Sequence, residues 1–355
     1  MTRRQPHLRG TGRDLATGTS RTEGHQPTVT TRVKFGEAER AVAKGRLQQL
    51  LAFASLIVIY AFFSFASPYF FSYGNFTAIL FSTVVIGTLA IGTTFVIITG
   101  GIDLSIGTGM ALCAVMSGVF IVKLDLPIAV GLLGTVLFGG LMGLVNGFNI
   151  AILRIPPFIA TLAMMLVAEG LALVLSNSAP IYFSEDPSYT KISTGNLIPG
   201  VKFPNAVVVL IVVAVIAGVL LTKTLLGRYT YSIGSNEEAT ALSGIDVRRW
   251  KVAIYTFAGL FIGLAGIMIS ARLGSAQPAT GMGYELQAIA AVVIGGTSLS
   301  GGKGSIVGTL IGALIISTLN NGLQIMSIPQ EWQNVILGCV ILVAVYTDIL
   351  RKKEA

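Results

Sequence analysis

Residues 227–251 read GRYTYSIGSNEEATALSGIDVRRWK. The stretch gathers Arg228, Glu237, Glu238, Asp246, Arg248, Arg249 and Lys251 between two long apolar segments, 206–222 and 252–271. A charged connector between two segments able to cross a bilayer decides the fold class. Its surroundings belong to the membrane, and the connector itself is a surface on which another protein could push. Gly227 and Gly234 punctuate it, and Ser235 or Asn236 can cap a helix. Glu237 and Glu238 then fall in the first turn, near the positive end of the helix dipole. Glu238-Ala239-Thr240-Ala241-Leu242 is good helix sequence, and Gly244 can end it. The residues alone leave two readings open: an ordinary solvated connector, or a helix of one to two turns offered to a partner.

Composition agrees with the membrane assignment. The 355 residues are 53% hydrophobic and 11% charged, with a mean hydropathy of +0.78. A soluble domain carries roughly twice that charged share. The 42 glycines suit closely packed transmembrane helices. The formal charge of +8 lies mostly in the N-terminal stretch and short loops, so it reports topology and not a nucleic-acid site. Cys113 and Cys339 sit in apolar segments and suggest no disulfide framework. His7 and His25 lie in the polar N-terminal stretch, leaving no cluster with metal-ligand spacing and no expected metal site. Residues 1–46 are rich in Arg, Thr and Gly, and read as a disordered cytoplasmic tail instead of a secretory signal. An amphipathic interfacial piece near 33–46 is the alternative.

A spanning helix needs about 20 mostly apolar residues. Ten segments approach that: 47–66, 78–99, 104–122, 126–153, 155–175, 206–222, 252–271, 286–299, 305–326 and 332–350. The fourth is long enough to be two pieces or strongly tilted, and the eighth short enough to be broken or re-entrant. With the N-terminus inside and every segment crossing, Lys123, Lys191, Lys202 and Arg272 fall outside and the other 20 of the 24 Lys+Arg fall inside. That follows the positive-inside rule and favours ten crossings with both termini cytoplasmic. The expected organisation is a tail (1–46), a permease domain (47–350) and a cytoplasmic C-terminus (351–355). The longest outer loop, 176–205, carries Pro180, Pro187, Gly195, Pro199 and Pro204, which argues for turns and irregular pieces.

Several polar residues interrupt the apolar segments. Asp103 and Ser105 stand among Gly100, Gly101 and Gly107 where a loop enters a span. An ionisable group there is either a local cap or a gating element. Glu169 is the most interior carboxylate, and structural pairing and a place on a translocation path are both open to it. Asn146, Asn149, Asn320, Asn321 and Gln324 both donate and accept, which suits sugar hydroxyls and helix–helix bonding alike. Gly139xxxGly143xxxGly147, Gly259xxxGly263 and Gly308xxxGly312 are small-residue ridges that permit close helix contact, within the chain or at a dimer. One internal repeat is visible as GGxxLSxG, at 100–107 and again at 295–302.

Three stretches carry a resemblance. Gly227-Arg228 followed by Gly234-x-Asn236-Glu237-Glu238-Ala239-x-x-Leu242-Ser243-Gly244-Ile245 resembles the cytoplasmic coupling loop of bacterial ABC-importer permeases of the ribose/xylose/arabinose type. In those permeases the motif is Glu-Ala-Ala with a later glycine; here Glu238, Ala239 and Gly244 match, and Thr240 replaces the second alanine. Residues 100–107 (GGIDLSIG) and 290–304 (AAVVIGGTSLSGGKG) are similar to two further signatures of the family, in the same order. The likeness spans about 48–350. It implies an all-α polytopic permease that dimerises, sits on a cytosolic ATPase and receives a monosaccharide from a periplasmic binding protein. It also implies that Gly234, Asn236, Glu237, Glu238, Ala239, Leu242, Gly244, Arg248 and Arg249 form the coupling surface.

Consistent with this, no nucleotide-binding P-loop is present: Gly302-Lys303 is followed by Gly304. The expected protein is therefore no enzyme and binds no cofactor itself, with ATP and magnesium on the partner and no catalytic residues of its own. It is expected in the bacterial inner membrane, with ribose as the first substrate and xylose, arabinose or galactose behind it. The translocation-path or gating set is Asp103, Ser105, Asn146, Glu169, Asn320, Asn321 and Gln324. Two other readings stay open: a stand-alone secondary transporter or channel, and a permease for nucleosides, branched-chain amino acids or a signalling furanose.

Overall fold

The computed structural model describes residues 50–184, 187–197 and 203–353, so the expected tail lies outside them. The described chain is helical almost throughout: α1 (Leu50–Ala66), α2 (Tyr73–Ile98), α3 (Ile106–Gly118), α4 (Ile128–Ala151), α5 (Pro157–Ser176), α6 (Pro187–Thr194), α7 (Asn205–Lys223), α8 (Leu225–Ser235), α9 (Glu237–Leu242), α10 (Val247–Leu273), α11 (Tyr284–Ile294), α12 (Ile306–Ile325) and α13 (Gln330–Lys353). Seven of the described helices are long and apolar enough to cross a membrane; α1 and α11 are shorter apolar helices. The β-pairing among the described residues is slight: a two-residue antiparallel pair, β1 (Ile181–Tyr182) with β2 (Ser275–Ala276), and an isolated antiparallel bridge between Asn196 and Pro204.

The helices sort by what their side chains can touch. Helix α2 is hidden along residues 83–98, where Gly, Ala and Thr let neighbours approach from every side. It packs on α10, α12, α11 and α7. Helices α5 and α7 sit at the periphery: Leu166, Val174 and Val215 are at least 60% exposed. Apolar side chains presented outward at this density are what a lipid-facing surface requires.

The most extensive packing joins α4 to α10, and it rests on missing Cβ atoms. A Cβ on Gly143 would run into the Tyr255 carbonyl oxygen, and one on Gly139 would lie 2.8 Å from the Gly263 Cα. The small-residue ridges on these helices therefore face each other inside one chain. The Gly308/Gly312 ridge likewise meets the α11 backbone, at Gly295 and Ala291.

Four sequence expectations change here. The long fourth segment forms one helix, α4. The third ends in a single π-turn, Val119–Lys123, where Lys123 Nζ donates to the Leu175 carbonyl at 2.7 Å and so caps the neighbouring helix end. The eighth shrinks to the 11 residues of α11. At 1.5 Å per residue that is about 16 Å, roughly half of a bilayer core, so α11 is a half-helix that the chain prolongs through an irregular segment, 295–305. The loop expected to be irregular at 176–205 holds a helix after all. Its Tyr189, on α6, is fully buried and shares hydrogen bonds with Ser117 of α3 (2.9 Å) and Ser270 of α10 (2.6 Å).

Candidate functional site

The charged connector folds into two short helices ahead of α10. Asn236 accepts from the Ala239 amide at 2.9 Å, so it is the cap of α9. The helix stops at Gly244, whose φ of 83° is open to glycine at little cost and whose N–H bonds the Ala241 carbonyl at 3.0 Å. Asp246 then caps α10 through the Arg249 amide at 3.2 Å and pairs with the Arg249 guanidinium at 2.9 Å. Lys251 reaches back to Glu237 at 2.7 Å, and Tyr229 packs edge-on against Trp250 with ring centroids 4.6 Å apart. The connector is thereby tied to the first turns of α10.

Only Thr240 of α9 is buried. Glu237, Glu238, Ala239 and Ala241 are exposed, as are Arg248 and Arg249. Leu242 is 90% exposed, an apolar side chain held out on a polar ledge. Such a side chain is free to be buried against a partner.

Beneath this ledge, stretches far apart in sequence meet. A Cβ on Gly234 would collide with the Ile98 carbonyl oxygen, and the amide nitrogen of Gly302 would lie 2.6 Å away. Gly302 donates to that same Ile98 carbonyl at 2.8 Å, and Tyr231 Oη donates to the Gly304 carbonyl at 2.7 Å. The end of α2, the connector and the 295–304 segment are thus one backbone-to-backbone joint. Tyr231 and the Ile98 carbonyl were not among the residues singled out by sequence; the only available signal was an aromatic residue inside a polar connector.

The two GG copies end their helices in the same way, one residue out of the sequence match. Gly100 (φ 78°) and Gly296 (φ 94°) both take the left-handed position after a helix. Gly100 and Gly101 bond Ile97 and Val96, at 2.9 and 3.2 Å; Gly296 and Thr297 bond Val293 and Val292, at 2.9 and 3.1 Å. Gly100 therefore corresponds to Gly296, not to Gly295. The likeness is a shared helix stop, and beyond it the second loop is longer.

Among the path candidates, the fold brings Asp103, Ser105 and Asn146 together. Asp103 Oδ1 accepts from the Ser105 amide (2.9 Å) and hydroxyl (2.6 Å), and Asn146 Nδ2 donates to Ser105 Oγ at 2.9 Å. Tyr255 Oη donates to the Ile102 carbonyl at 3.4 Å, holding the same loop against α10. Asp103 Oδ2 and Asn146 Oδ1 have no partner among the described residues. The others lie elsewhere. Glu169 is half-buried on α5 and makes no ion pair among the described residues. Asn320 Nδ2 donates to Gln287 Oε1 at 3.1 Å, Asn321 Oδ1 is buried without a partner among the described residues, and Gln324 is exposed.

Burial pushes the Asp103 carboxyl above its ordinary value of 3.8, against the opposing pull of the two hydrogen bonds from Ser105. A raised folded-state value means that the folded protein holds this proton to higher pH than the unfolded chain. Its contribution to stability is complete below the unfolded value and is lost as pH rises through the folded one. Thermal unfolding in detergent, followed upward in pH from the ordinary carboxylate range, should show wild-type stability falling. Asp103→Asn, which keeps the acceptor and cannot ionise, should flatten the slope; an unchanged slope would assign it to other groups.

Comparison with known proteins places this fold. The family model described as branched-chain amino acid transport system / permease component matches residues 75–345. The chain belongs to that permease family. The ribose import permease of Bacillus subtilis (strain 168) is 44% identical to this permease over 321 residues, 90% of this chain and 98% of the relative. The ribose import permease of Escherichia coli (strain K12) is 42% identical over 309 residues, 87% and 96% of the two chains. The D-allose transport system permease of the same strain is 38% identical over 332 residues, 91% and 99%. No solved structure matches this permease. Its relatives are membrane permease subunits, and the permease is accordingly a transport protein and not an enzyme.

Proposed function

We propose that this chain is the membrane subunit of an ATP-driven monosaccharide importer of the bacterial inner membrane, with ribose as its first substrate. Hydrolysis takes place on a cytosolic ATPase, which carries the ATP and magnesium, and a periplasmic binding protein delivers the sugar. The observation that carries the reading is the joint under α9. A ledge with Leu242 at 90% exposure stands on backbone contacts that join α8 to the ends of α2 and α11. A push on α9 reaches Gly234, and from there Ile98 and Gly302, without passing through a flexible side chain. Gly234, Asn236 and Gly244 shape the ledge; Glu237, Glu238, Ala239, Leu242, Arg248 and Arg249 face the motor.

Sugar is favoured over amino acid because the relatives named above are ribose import and D-allose transport permeases, at 38 to 44% identity. The path runs between two copies of the chain. Both termini and the ledge lie on the cytoplasmic side, as the distribution of Lys and Arg favours. A cysteine at Ser235, exposed next to the Asn236 cap, tests the orientation. It should react with a membrane-impermeant maleimide in inverted vesicles and not in intact cells; labelling in intact cells would reverse the topology. The subunit reading itself is tested by affinity purification from the native membrane. The ATPase should be recovered with the chain, and its absence after mild crosslinking would remove the motor from the account.

A further inference from the structure

At the end of the bundle away from the ledge, five half-buried side chains from four helices form a continuous arc. It begins with Arg272, in the last turn of α10, whose Cζ lies 5.0 Å from the Phe81 ring centroid on α2. Arg272 is within electrostatic range of Tyr284, the first residue of α11. One turn further along α11 comes Gln287, which accepts from Asn320 of α12 at 3.1 Å.

Arg272 makes no ion pair among the described residues. Half-burial of a guanidinium that has no ion pair is costly unless something supplies acceptors. The Phe81 ring fixes its position without occupying its N–H groups. The Gln287–Asn320 bond uses one donor and one acceptor. It leaves the Gln287 amide nitrogen to donate and the Asn320 oxygen to accept.

We propose that Arg272, Tyr284, Gln287 and Asn320, with Phe81 behind the guanidinium, form a subsite for the hydroxyl groups and ring oxygen of a neutral monosaccharide as it enters the permease. The inference rests on the importer reading above and names residues for it. A hydroxyl both donates and accepts, as this amide pair does, whereas the carboxylate of a docking protein would need the guanidinium alone. The site is half open, so its contacts with the sugar are few, as release to the other side requires.

The test uses the complete importer in proteoliposomes with radiolabelled D-ribose as the probe, and two readouts. The first is ribose uptake; the second is stimulation of the ATPase by ribose-loaded binding protein, which reports docking. Gln287→Leu and Asn320→Leu should each lower uptake about tenfold or more, because a partner of the sugar is left unmet, with stimulation retained. Gln287→Glu keeps the shape and the bond from Asn320 while replacing the amide donor with a carboxylate, and should lower uptake likewise; an unchanged elution profile and unfolding temperature in each variant would exclude misfolding. Unchanged uptake in these variants overturns the subsite. Stimulation that falls in step with uptake also overturns it, and assigns the arc to docking of the binding protein. Failure of the importer reading would show separately, as a wild type that moves no D-ribose.

Discussion

Leu242→Glu is expected to leave the permease folded and inserted while uncoupling it from its motor. At 90% exposure the side chain contributes almost nothing to packing within the chain, and a surface substitution of this kind changes stability by about 0.5 kcal/mol or less. Against an ATPase, the same leucine is the one large apolar side chain on α9. Burying a charge where an apolar anchor should sit costs about 2 kcal/mol or more, roughly thirtyfold in affinity. Co-purification of the ATPase and ATP-driven uptake should both collapse, with the elution profile and thermal stability of the isolated permease unchanged. Retained uptake would show that α9 does not receive the motor.

The second large effect lies one layer deeper, and its signature is the opposite. In Gly234→Val the new Cβ would sit on the Ile98 carbonyl oxygen and 2.6 Å from the Gly302 nitrogen. Both are backbone atoms, which cannot rotate aside as a side chain does, so the joint has to open. Overpacking against a rigid neighbour costs on the order of 3 kcal/mol. A fall in the detergent unfolding temperature is expected together with loss of uptake. Gly244→Ala is the comparison. Its φ of 83° strains any side chain, but nothing lies within 4 Å of the added Cβ. The cost should stay near the 1–2 kcal/mol of a left-handed residue. Equal unfolding temperatures for Gly234→Val and wild type would mean that the joint is looser than described.

The two substitutions divide the site into what is local and what is not, and the sequence is legible along the same line. Helix α9 could be read in advance because an Asn cap, acidic residues in the first turn and a terminal glycine act within a few residues of one another. The joint below it could not be read. Its contacts run between backbone atoms of Ile98, Gly234 and Gly302, and a glycine advertises missing volume without saying what fills it. Gly139 and Gly143 showed the same limit, announcing a close helix contact but not α10 as the partner. Asp103 could be placed at the mouth of a loop, but Asn146 lies 41 residues further along the chain from Ser105, and only the fold joins them. Apolar composition over 286–299 overstates the span, because it continues through Gly295 and Gly296, where the helix stops. In the sequence Arg272 reads as an outer-side charge. Its position over Phe81 gives it a chemical use that no local pattern carries.

The measurement that bears most directly on the account is D-ribose uptake by the permease in sealed proteoliposomes, with and without the ATPase. The permease with the ATPase and binding protein should accumulate ribose only when ATP is supplied to the side that bears α9. The permease alone should move none. Ribose entry through the permease alone, down a sugar or ion gradient, would contradict a membrane subunit driven from a separate motor.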